Sequence, residues 1–186
     1  MTDIHDAKVL IVATHGFEQS ELEVPRNRLD ACCETVHVAT TDGAAIKGWD
    51  KDDWGREVPA DLSIDEVRAV DYDAIVLPGG QINPDLLRVQ KPVLDLIRDF
   101  HDQGRVVAAI CHAPWLLIEA GIVEGRDMTS YASIQTDLKN AGANWHDKEV
   151  VTDNGIVTSR SPDDLDAFVA KIIEEIGEGR HTRKAA

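Results

Sequence analysis

Short apolar segments alternate with stretches of helical pattern along most of this chain, and this alternation limits its fold more than any other feature. Four segments have the composition of strands that are covered on both faces: 9–13, Thr35–Thr40, Ala74–Leu77 and Val106–Ile110. Helical patterns lie between and after them, at 20–31, 91–103, 113–120 and 133–140. This order predicts an α/β protein, a doubly wound sandwich with a mostly parallel central sheet and helices on both faces.

Local signals mark several element ends. Ser20 and Glu23 have the spacing of a capping box, which predicts the start of the first helix. Asn154-Gly155 lies between two β-rich segments and predicts a hairpin over 149–159. Ser161-Pro162 predicts the start of the last helix. We therefore expect one domain over 1–178, followed by a polar, frayed tail over 179–186.

Length and charge exclude several classes of function. The 186 residues suit one domain with a full hydrophobic core. Acidic residues outnumber basic residues by 34 to 19, so the net charge is −15 and we expect no nucleic-acid or membrane partner. The three cysteines lack the spacing of a disulfide framework, and the polar start carries no targeting pattern. Both observations favour a cytoplasmic location.

The strongest signal for chemistry lies where an apolar strand meets a helix at Cys111. The run Val106–Ile110 leads directly into Cys111 and His112, and small residues, Ala109 and Ala113, flank the cysteine two positions away. This is the pattern of a nucleophile elbow, whose tight turn leaves little room for bulk. We expect a strained backbone at Cys111 and a thiol pKa that the following helix start lowers. The alternative is a buried, inert core cysteine.

Two further loops are expected beside Cys111, because the carboxyl ends of neighbouring strands line one crevice in a doubly wound sheet. Gly79 and Gly80 follow one strand, and their amides can join that of His112 in an oxyanion hole; otherwise they form a plain turn. Glu18 follows the first strand and is expected either to hydrogen-bond to the thiol or to be an exposed carboxylate. His112 is a candidate general base if another group orients it.

The remaining cysteines and histidines give no comparable pattern. The adjacent Cys32 and Cys33 lack metal or redox spacing and are interpreted as packing residues. A zinc site would require His15 and Glu18 to converge on Cys111 and His112, and nothing in the spacing enforces this. The other histidines are scattered and receive no role: His5, His37, His101, His146 and His181. We therefore expect no metal and no cofactor.

Residues 42–73 are the least regular part of the chain and carry much of its negative charge. They also contain Trp49 and Trp54. We expect a surface excursion with a small hairpin, lying away from the crevice. It is either a solvated acidic face or, because exposed tryptophans otherwise lack an explanation, a contact for a partner or a second subunit.

Several of these motifs, taken in order, resemble the PfpI-type intracellular protease family. This family belongs to the superfamily that includes the Parkinsonism-associated deglycases and the class I glutamine amidotransferase fold. The resemblance covers about residues 8–170 and rests on the segments Gly16-Phe17-Glu18 with Glu21-Leu22, Leu77-Pro78-Gly79-Gly80, Ala109-Ile110-Cys111-His112-Ala113-Pro114, Gly121, Gly125-Arg126, Thr129-Ser130-Tyr131 and Gly142-Ala143. It implies a flavodoxin-like sandwich with Cys111 as the nucleophile on an elbow.

The resemblance also implies roles and partners. Glu18 becomes the acid that hydrogen-bonds to the Cys111 thiol, and His112 is the adjacent histidine. Family members form dimers, and archaeal members form hexameric rings in which a carboxylate from a neighbouring subunit completes a Cys-His-acid triad. The nearest match here is Asp85, which is shorter than the family's glutamate and lies in a loop one residue longer. The expected partners are therefore other copies of this chain, as a dimer or a hexamer, and a small carbonyl or peptide substrate.

Three functions follow from the resemblance and from the pattern at Cys111. The first is a stress-associated glyoxalase or deglycase, in which the thiolate adds to a reactive carbonyl such as methylglyoxal and Glu18 and His112 move protons, without a cofactor. The second is a cysteine peptidase with His112 as base. The third is a redox sensor or chaperone that uses an oxidisable cysteine. Substrate pockets are built from loops, so the residue pattern leaves these three open.

Overall fold

A central sheet of seven strands organises the computed structural model, which describes residues 2–182. The strands of the described chain are β1 (Lys8–Val12), β2 (Thr35–Thr40), β3 (Ile46–Asp50), β4 (Asp53–Val58), β5 (Leu62–Ser63), β6 (Ala74–Leu77), β7 (Val106–Ile110), β8 (Asp127–Met128), β9 (Asn144–Trp145), β10 (Val150–Asp153) and β11 (Ile156–Ser159). Its α-helices are α1 (Gln19–Asp30), α2 (Ile82–Leu87), α3 (Lys91–Asp102), α4 (Pro114–Ala120), α5 (Gln135–Asn140) and α6 (Leu165–Glu178).

The order of the strands places a crevice at one edge of the sheet. The order is β10-β11-β7-β6-β1-β2-β5, and every pairing in this sheet is parallel except that of β10 with β11. Strands β2, β1, β6, β7 and β11 therefore follow the flavodoxin-like order, and the strand order reverses between β1 and β6. This confirms the expected α/β fold and puts the carboxyl ends of β1, β6 and β7 around one crevice.

Two hydrophobic cores fix the sheet between its helices. Alternate strand residues face opposite sides, so Leu10 and Ile75 pack towards α3 and α4, whereas Val9 and Val76 pack towards α1 and α6. The longest helix, α6, has 14 residues and buries Phe168 completely. Within residues 2–182, no helix combines the length and the apolar character that crossing a membrane requires.

The helix ends differ from the sequence prediction in places. The N-cap of α1 is Glu18, so the predicted capping box of Ser20 and Glu23 is wrong, and Pro25 lies inside the helix. The short helix α2 was not predicted, because it spans only six residues and carries no capping side chain. The predicted hairpin is confirmed: Asn154 and Gly155 both have positive φ angles, as its two-residue turn requires.

The segment 42–73 contains the expected small hairpin, β3 paired with β4, but the hairpin does not lie away from the crevice. Trp49 N–H donates to Phe17 O at 2.7 Å, and Gly16 N–H donates to Lys47 O at 2.8 Å. These bonds attach β3 to the loop that follows β1. Trp54, 45% exposed, contacts the Trp49 ring edge-on. The predicted position of the hairpin is wrong. The main-chain bonds that hold it join residues distant in sequence, and local sequence patterns do not reveal such bonds.

The end of the chain turns back onto the body of the protein. After α6, Gly179 has a φ of +88°, and His181 N–H donates to Gly104 O at 2.7 Å. Gly104 lies in the turn between α3 and β7. The expected frayed tail, 179–186, lies partly outside the described residues, and its described part contacts this turn.

The burial of Phe168 supplies a test of the second core. Replacement by alanine (Phe168→Ala) should lower the free energy of unfolding by about 3–5 kcal/mol, because the ring leaves a cavity between α6 and the sheet. Val89→Ala is the control, since Val89 is 76% exposed and should change stability by less than about 0.5 kcal/mol. Chemical denaturation measures both variants. An equal effect of the two changes would contradict the packing described here.

Candidate active site

Hydrogen bonds join the loops that follow β1 and β6, and these two loops line the crevice. Glu18 N–H donates to Gly79 O at 3.3 Å. The buried Asn83 side chain accepts from Thr14 N–H at 2.7 Å and donates to Pro78 O at 2.8 Å. One amide side chain thus joins both loops, and the third loop, after β7, brings Cys111 against them.

Cys111 has the strained backbone that its position at an elbow predicts. Its φ angle is +64°, in the left-handed region that residues other than glycine rarely adopt. Two hydrogen bonds hold it there: Cys111 N–H donates to Ser159 O at 3.0 Å, and Tyr131 N–H donates to Cys111 O at 2.9 Å. Ala109 and Ala113 are completely buried on either side. The thiol is therefore fixed at the end of β7 and is 5% exposed.

The carboxyl group beside the thiol belongs to Glu21, and the expectation that Glu18 takes this place is corrected. Glu21 is completely buried, and its Oε2 accepts from Gly79 N–H at 2.8 Å. The same carboxyl group lies beside the Cys111 side chain, since a Cβ atom on Gly79 would contact both. Among the described residues, Oε1 of Glu21 has no further partner.

Helix capping explains why Glu21, and not Glu18, lies beside the thiol. The Glu18 carboxylate caps α1 by accepting from the Ser20 hydroxyl and from Glu21 N–H. One turn further, Glu21 falls on the inner face of the helix, in the buried row that includes Leu22 and Leu29. A carboxyl group within such an apolar row was the sequence signal that could have identified it.

The two glycines after β6 have different roles. Gly79 N–H donates to Glu21 and is therefore not available to bind an oxyanion. The prediction that Gly79 contributes to an oxyanion hole is corrected. Gly80 N–H and His112 N–H are the amides that lower the pKa of the Cys111 thiol. A Cβ atom on Gly79 would lie 2.6 Å from Glu21 Oε2 and 2.7 Å from Cys111 Cβ. Only glycine therefore leaves room for the carboxyl–thiol pair.

The His112 ring connects Cys111 to a residue that the sequence did not single out. Nδ1 lies 3.1 Å from Cys111 Sγ, and Nε2 lies 3.0 Å from Ser133 Oγ. The ring stacks on Tyr131 with 4.8 Å between centroids, and the Trp115 ring lies at 5.4 Å. Ser133 is thus the orienting group of the candidate base. No sequence spacing relates Ser133 to His112. Ser133 lies in the 3₁₀ turn Ala132–Ile134, which the tertiary fold brings next to the His112 ring.

Burial sets the protonation states of this cluster. It raises the pKa of Glu21 to about 8, so the carboxyl group is mostly protonated at pH 7. Burial and then the nearby Glu21 raise the pKa of the Cys111 thiol, although the Gly80 and His112 amides act in the opposite direction. Burial also lowers the pKa of His112. The resting site therefore pairs a thiol with a neutral imidazole, and the expected low thiol pKa is corrected.

Asp85 lies at the rim and not in the buried cluster. It is exposed on α2. A cavity of about 310 Å³ beside it is lined by Gln81, Ile82, Asp85, Leu86 and Trp115. Since the Trp115 ring also contacts His112, this cavity adjoins the candidate active site.

Other residues considered for chemistry have contacts elsewhere. Cys32 and Cys33 follow α1, with their sulfur atoms 3.9 Å apart, and burial raises the pKa of Cys33 to about 12. His15 Nδ1 accepts from Lys47 N–H at 3.1 Å, so its ring faces the β3–β4 hairpin. These contacts involve neither Cys111 nor His112.

The protonated Glu21 predicts a pH-dependent stability. Between its ordinary pKa of 4.5 and its folded pKa of about 8, the folded state binds a proton that the unfolded state releases. Stability should therefore fall as pH rises through this window, by at most about 1.4 kcal/mol per pH unit. Glu21→Gln removes the titration, so its stability relative to the parent should increase across the window. Denaturant unfolding at several pH values measures this, and the exposed Glu149→Gln is the control. Equal pH dependence of the two variants would contradict the assignment.

Comparison with known proteins places this arrangement in a family. Residues 7–175 match the model of the DJ-1/PfpI family, which confirms the resemblance. The deglycase TK1284 of Thermococcus kodakarensis is 40% identical over 167 residues, 90% of this chain and 98% of that protein. The putative cysteine protease YraA of Bacillus subtilis is 40% identical over 162 residues, 87% and 93% of the two chains. The crystal structure of Drosophila melanogaster DJ-1beta has a TM-score of 0.81 at 31% identity, covering 93% of this chain and 95% of its own. The chain therefore belongs to the DJ-1/PfpI family.

Proposed function

We propose that this protein is a cysteine-dependent enzyme that converts small reactive aldehydes of the methylglyoxal type into hydroxy acids. The observation that carries the proposal is the buried pair of Glu21 and Cys111, with His112 Nδ1 at 3.1 Å from the sulfur. A protonated carboxyl group, a thiol and a neutral base are the three groups that addition to a carbonyl and the later proton transfers require. The deglycase name of one relative is consistent with carbonyl chemistry.

The first step joins the sulfur to the aldehyde carbon. His112 Nδ1 takes the thiol proton while its Nε2–H donates to Ser133 Oγ. The C–S bond forms, the carbonyl π electrons move to oxygen, and Glu21 protonates that oxygen to give a hemithioacetal. The Gly80 and His112 amides face the sulfur and stabilise negative charge during the step.

The next steps move one proton between the two carbons of the substrate. The Glu21 carboxylate removes the hydrogen from the former aldehyde carbon, and the neighbouring carbonyl oxygen takes the proton held by His112, which gives an enediol. Glu21 returns the proton to the second carbon and then accepts the hydroxyl proton of the first carbon, which becomes a thioester. Water, activated by His112, hydrolyses the thioester and restores the thiol. Methylglyoxal and water together give lactate, so no oxidant, reductant or cofactor is consumed.

The partner of His112 supports this reaction over peptide hydrolysis. A peptidase must hold a charged imidazolium until it protonates an amine leaving group, and a carboxylate usually stabilises that charge. Here Nε2 contacts the Ser133 hydroxyl, which is uncharged. Aldehyde addition expels no leaving group, so a serine hydroxyl suffices to orient the ring.

A peptidase is the second candidate, and the short Cys111–His112 contact favours it. We propose that it would require a second copy of the chain to bring Asp85 to the ring. The exposed Ile82 and Leu86 beside Asp85 give α2 an apolar surface that suits such self-association. The name of the relative YraA, a putative cysteine protease, agrees with this alternative.

Lactate formation from methylglyoxal tests the carbonyl reaction and the choice of glutamate. Cys111→Ala should form no lactate, and Glu21→Gln should lower kcat by roughly 10²- to 10⁴-fold because it cannot shuttle a proton. Glu18→Gln is the matched control, since it makes the same change at the helix cap and should retain activity within a few-fold.

Two outcomes would overturn this assignment. The first is an equal loss in Glu18→Gln and Glu21→Gln. The second is lactate formation that persists in Cys111→Ala after repurification. Peptide hydrolysis that survives purification and is lost in both Cys111→Ala and Asp85→Asn would favour the peptidase instead.

The pH profile should report the two buried groups. We expect kcat/KM to fall below the pKa of His112, which burial lowers from 6.5, and to fall by about tenfold per pH unit above about pH 8, where Glu21 loses its proton. Steady-state rates between about pH 5 and 10 measure the profile. The residual activity of Glu21→Gln should lack the decline above pH 8. A decline that persists in this variant would assign it to another group.

A further inference from the structure

Three potential metal ligands converge where the chain leaves α6. Glu175 and Glu178 lie one turn apart near the end of the helix, and His181 follows after the same spacing of three residues. One ligand atom from each side chain lies within 4.8 Å of those of the other two. This cluster is unrelated to Cys111, because it contacts the turn before β7, whereas Cys111 follows the other end of that strand.

Two of the three side chains are enclosed by the protein. The Glu175 side chain is 7% exposed and the His181 side chain 8% exposed, with 3.5 Å between Glu175 Oε2 and His181 Nε2. Glu178 is exposed and approaches from the solvent side. The cluster thus has a fixed, buried half and one adjustable ligand.

The backbone, and not the ion pair, places His181 there. His181 N–H donates to Gly104 O at 2.7 Å, and a Cβ atom on Gly104 would lie 2.3 Å from His181 O. The close approach therefore depends on glycine in the turn between α3 and β7. The main chain thus fixes the position of the residue, and ring atom Nε2 faces the end of α6, 3.4 Å from Glu175 O and 3.5 Å from Glu175 Oε2.

The charges of the cluster suit a divalent cation. Lys171 is the basic residue that precedes it on α6, and its Nζ hydrogen-bonds to Glu174 Oε2 at 2.7 Å. Glu175 and Glu178 together supply two negative charges when ionised. A bound divalent cation would neutralise both carboxylates.

The geometry points to a divalent transition-metal site of the zinc class, formed by Glu175, Glu178 and His181 with water in the fourth position. Zinc binds imidazole nitrogen and carboxylate oxygen at about 2.0–2.2 Å, so two ligands of a tetrahedron lie about 3.3–3.6 Å apart. The observed 3.5 Å between Glu175 Oε2 and His181 Nε2 agrees with this edge. An imidazole ligand favours zinc over calcium or magnesium.

Metal binding at this place would clamp the end of α6 to the turn before β7. Such a site exists in the folded state and not in the unfolded chain, so zinc should raise the unfolding temperature. The effect concerns the tail and stability, and it does not pass through the candidate active site. Its success or failure is therefore independent of the proposed carbonyl chemistry.

Zinc titration by calorimetry tests the site. The parent for this test carries Cys32→Ser, Cys33→Ser and Cys111→Ser, because thiols at those positions also bind zinc. After removal of metal with a chelator, we expect one Zn²⁺ per chain and a higher unfolding temperature. His181→Ala and Glu178→Gln should each weaken binding by about tenfold or more. His146→Ala is the control, because His146 is a partly exposed histidine that pairs with Asp127 on β8, outside the proposed site. This variant should bind zinc as the parent does.

Two results would overturn the proposal. One is zinc affinity that is unchanged in both His181→Ala and Glu178→Gln, and the other is a parent that binds no zinc at millimolar concentration. Circular dichroism checks the fold of each variant. If His181→Ala loses its fold, Glu178→Gln decides the outcome, because the exposed Glu178 side chain can change without disturbing the core.

Discussion

The left-handed backbone at Cys111 is the constraint on which the rest of the site depends. A non-glycine residue in this conformation costs roughly 1–3 kcal/mol, and it persists because hydrogen bonds to Ser159 O and from Tyr131 N–H hold both sides of the residue. The same bond to Tyr131 brings the following turn, with Ser133, within reach of His112. One strained residue therefore fixes the candidate nucleophile, the candidate base and the group that orients that base.

Burial then gives these groups their chemistry. Glu21 lies in an apolar helix face and keeps its proton near neutral pH, so it can both donate and accept one beside Cys111. The same burial raises the pKa of the thiol and lowers that of the imidazole, so the proposed sulfur addition needs His112 as its base. The Gly80 and His112 amides lower the pKa of the Cys111 thiol, but desolvation outweighs them, so the net shift is upward.

The fold separates two kinds of site along one strand. Cys111 follows the carboxyl end of β7, where the parallel strands open into a crevice, whereas Gly104 and His181 meet before its amino end. The first place supports chemistry on a substrate. The second joins the end of α6 to the body of the protein, and a metal ion there would act on stability alone.

Local patterns of hydrophobicity and small residues were enough to predict the α/β order, the bounds of three strands and the elbow at Cys111. The tertiary structure places Glu21, and not Glu18, at the thiol, since the N-cap of α1 is Glu18 instead of the predicted Ser20 and the Glu18 carboxylate stays at the helix end. It also decided the Ser133 contact and the approach of His181 to Gly104. Such contacts join residues distant in sequence, and no local propensity encodes them.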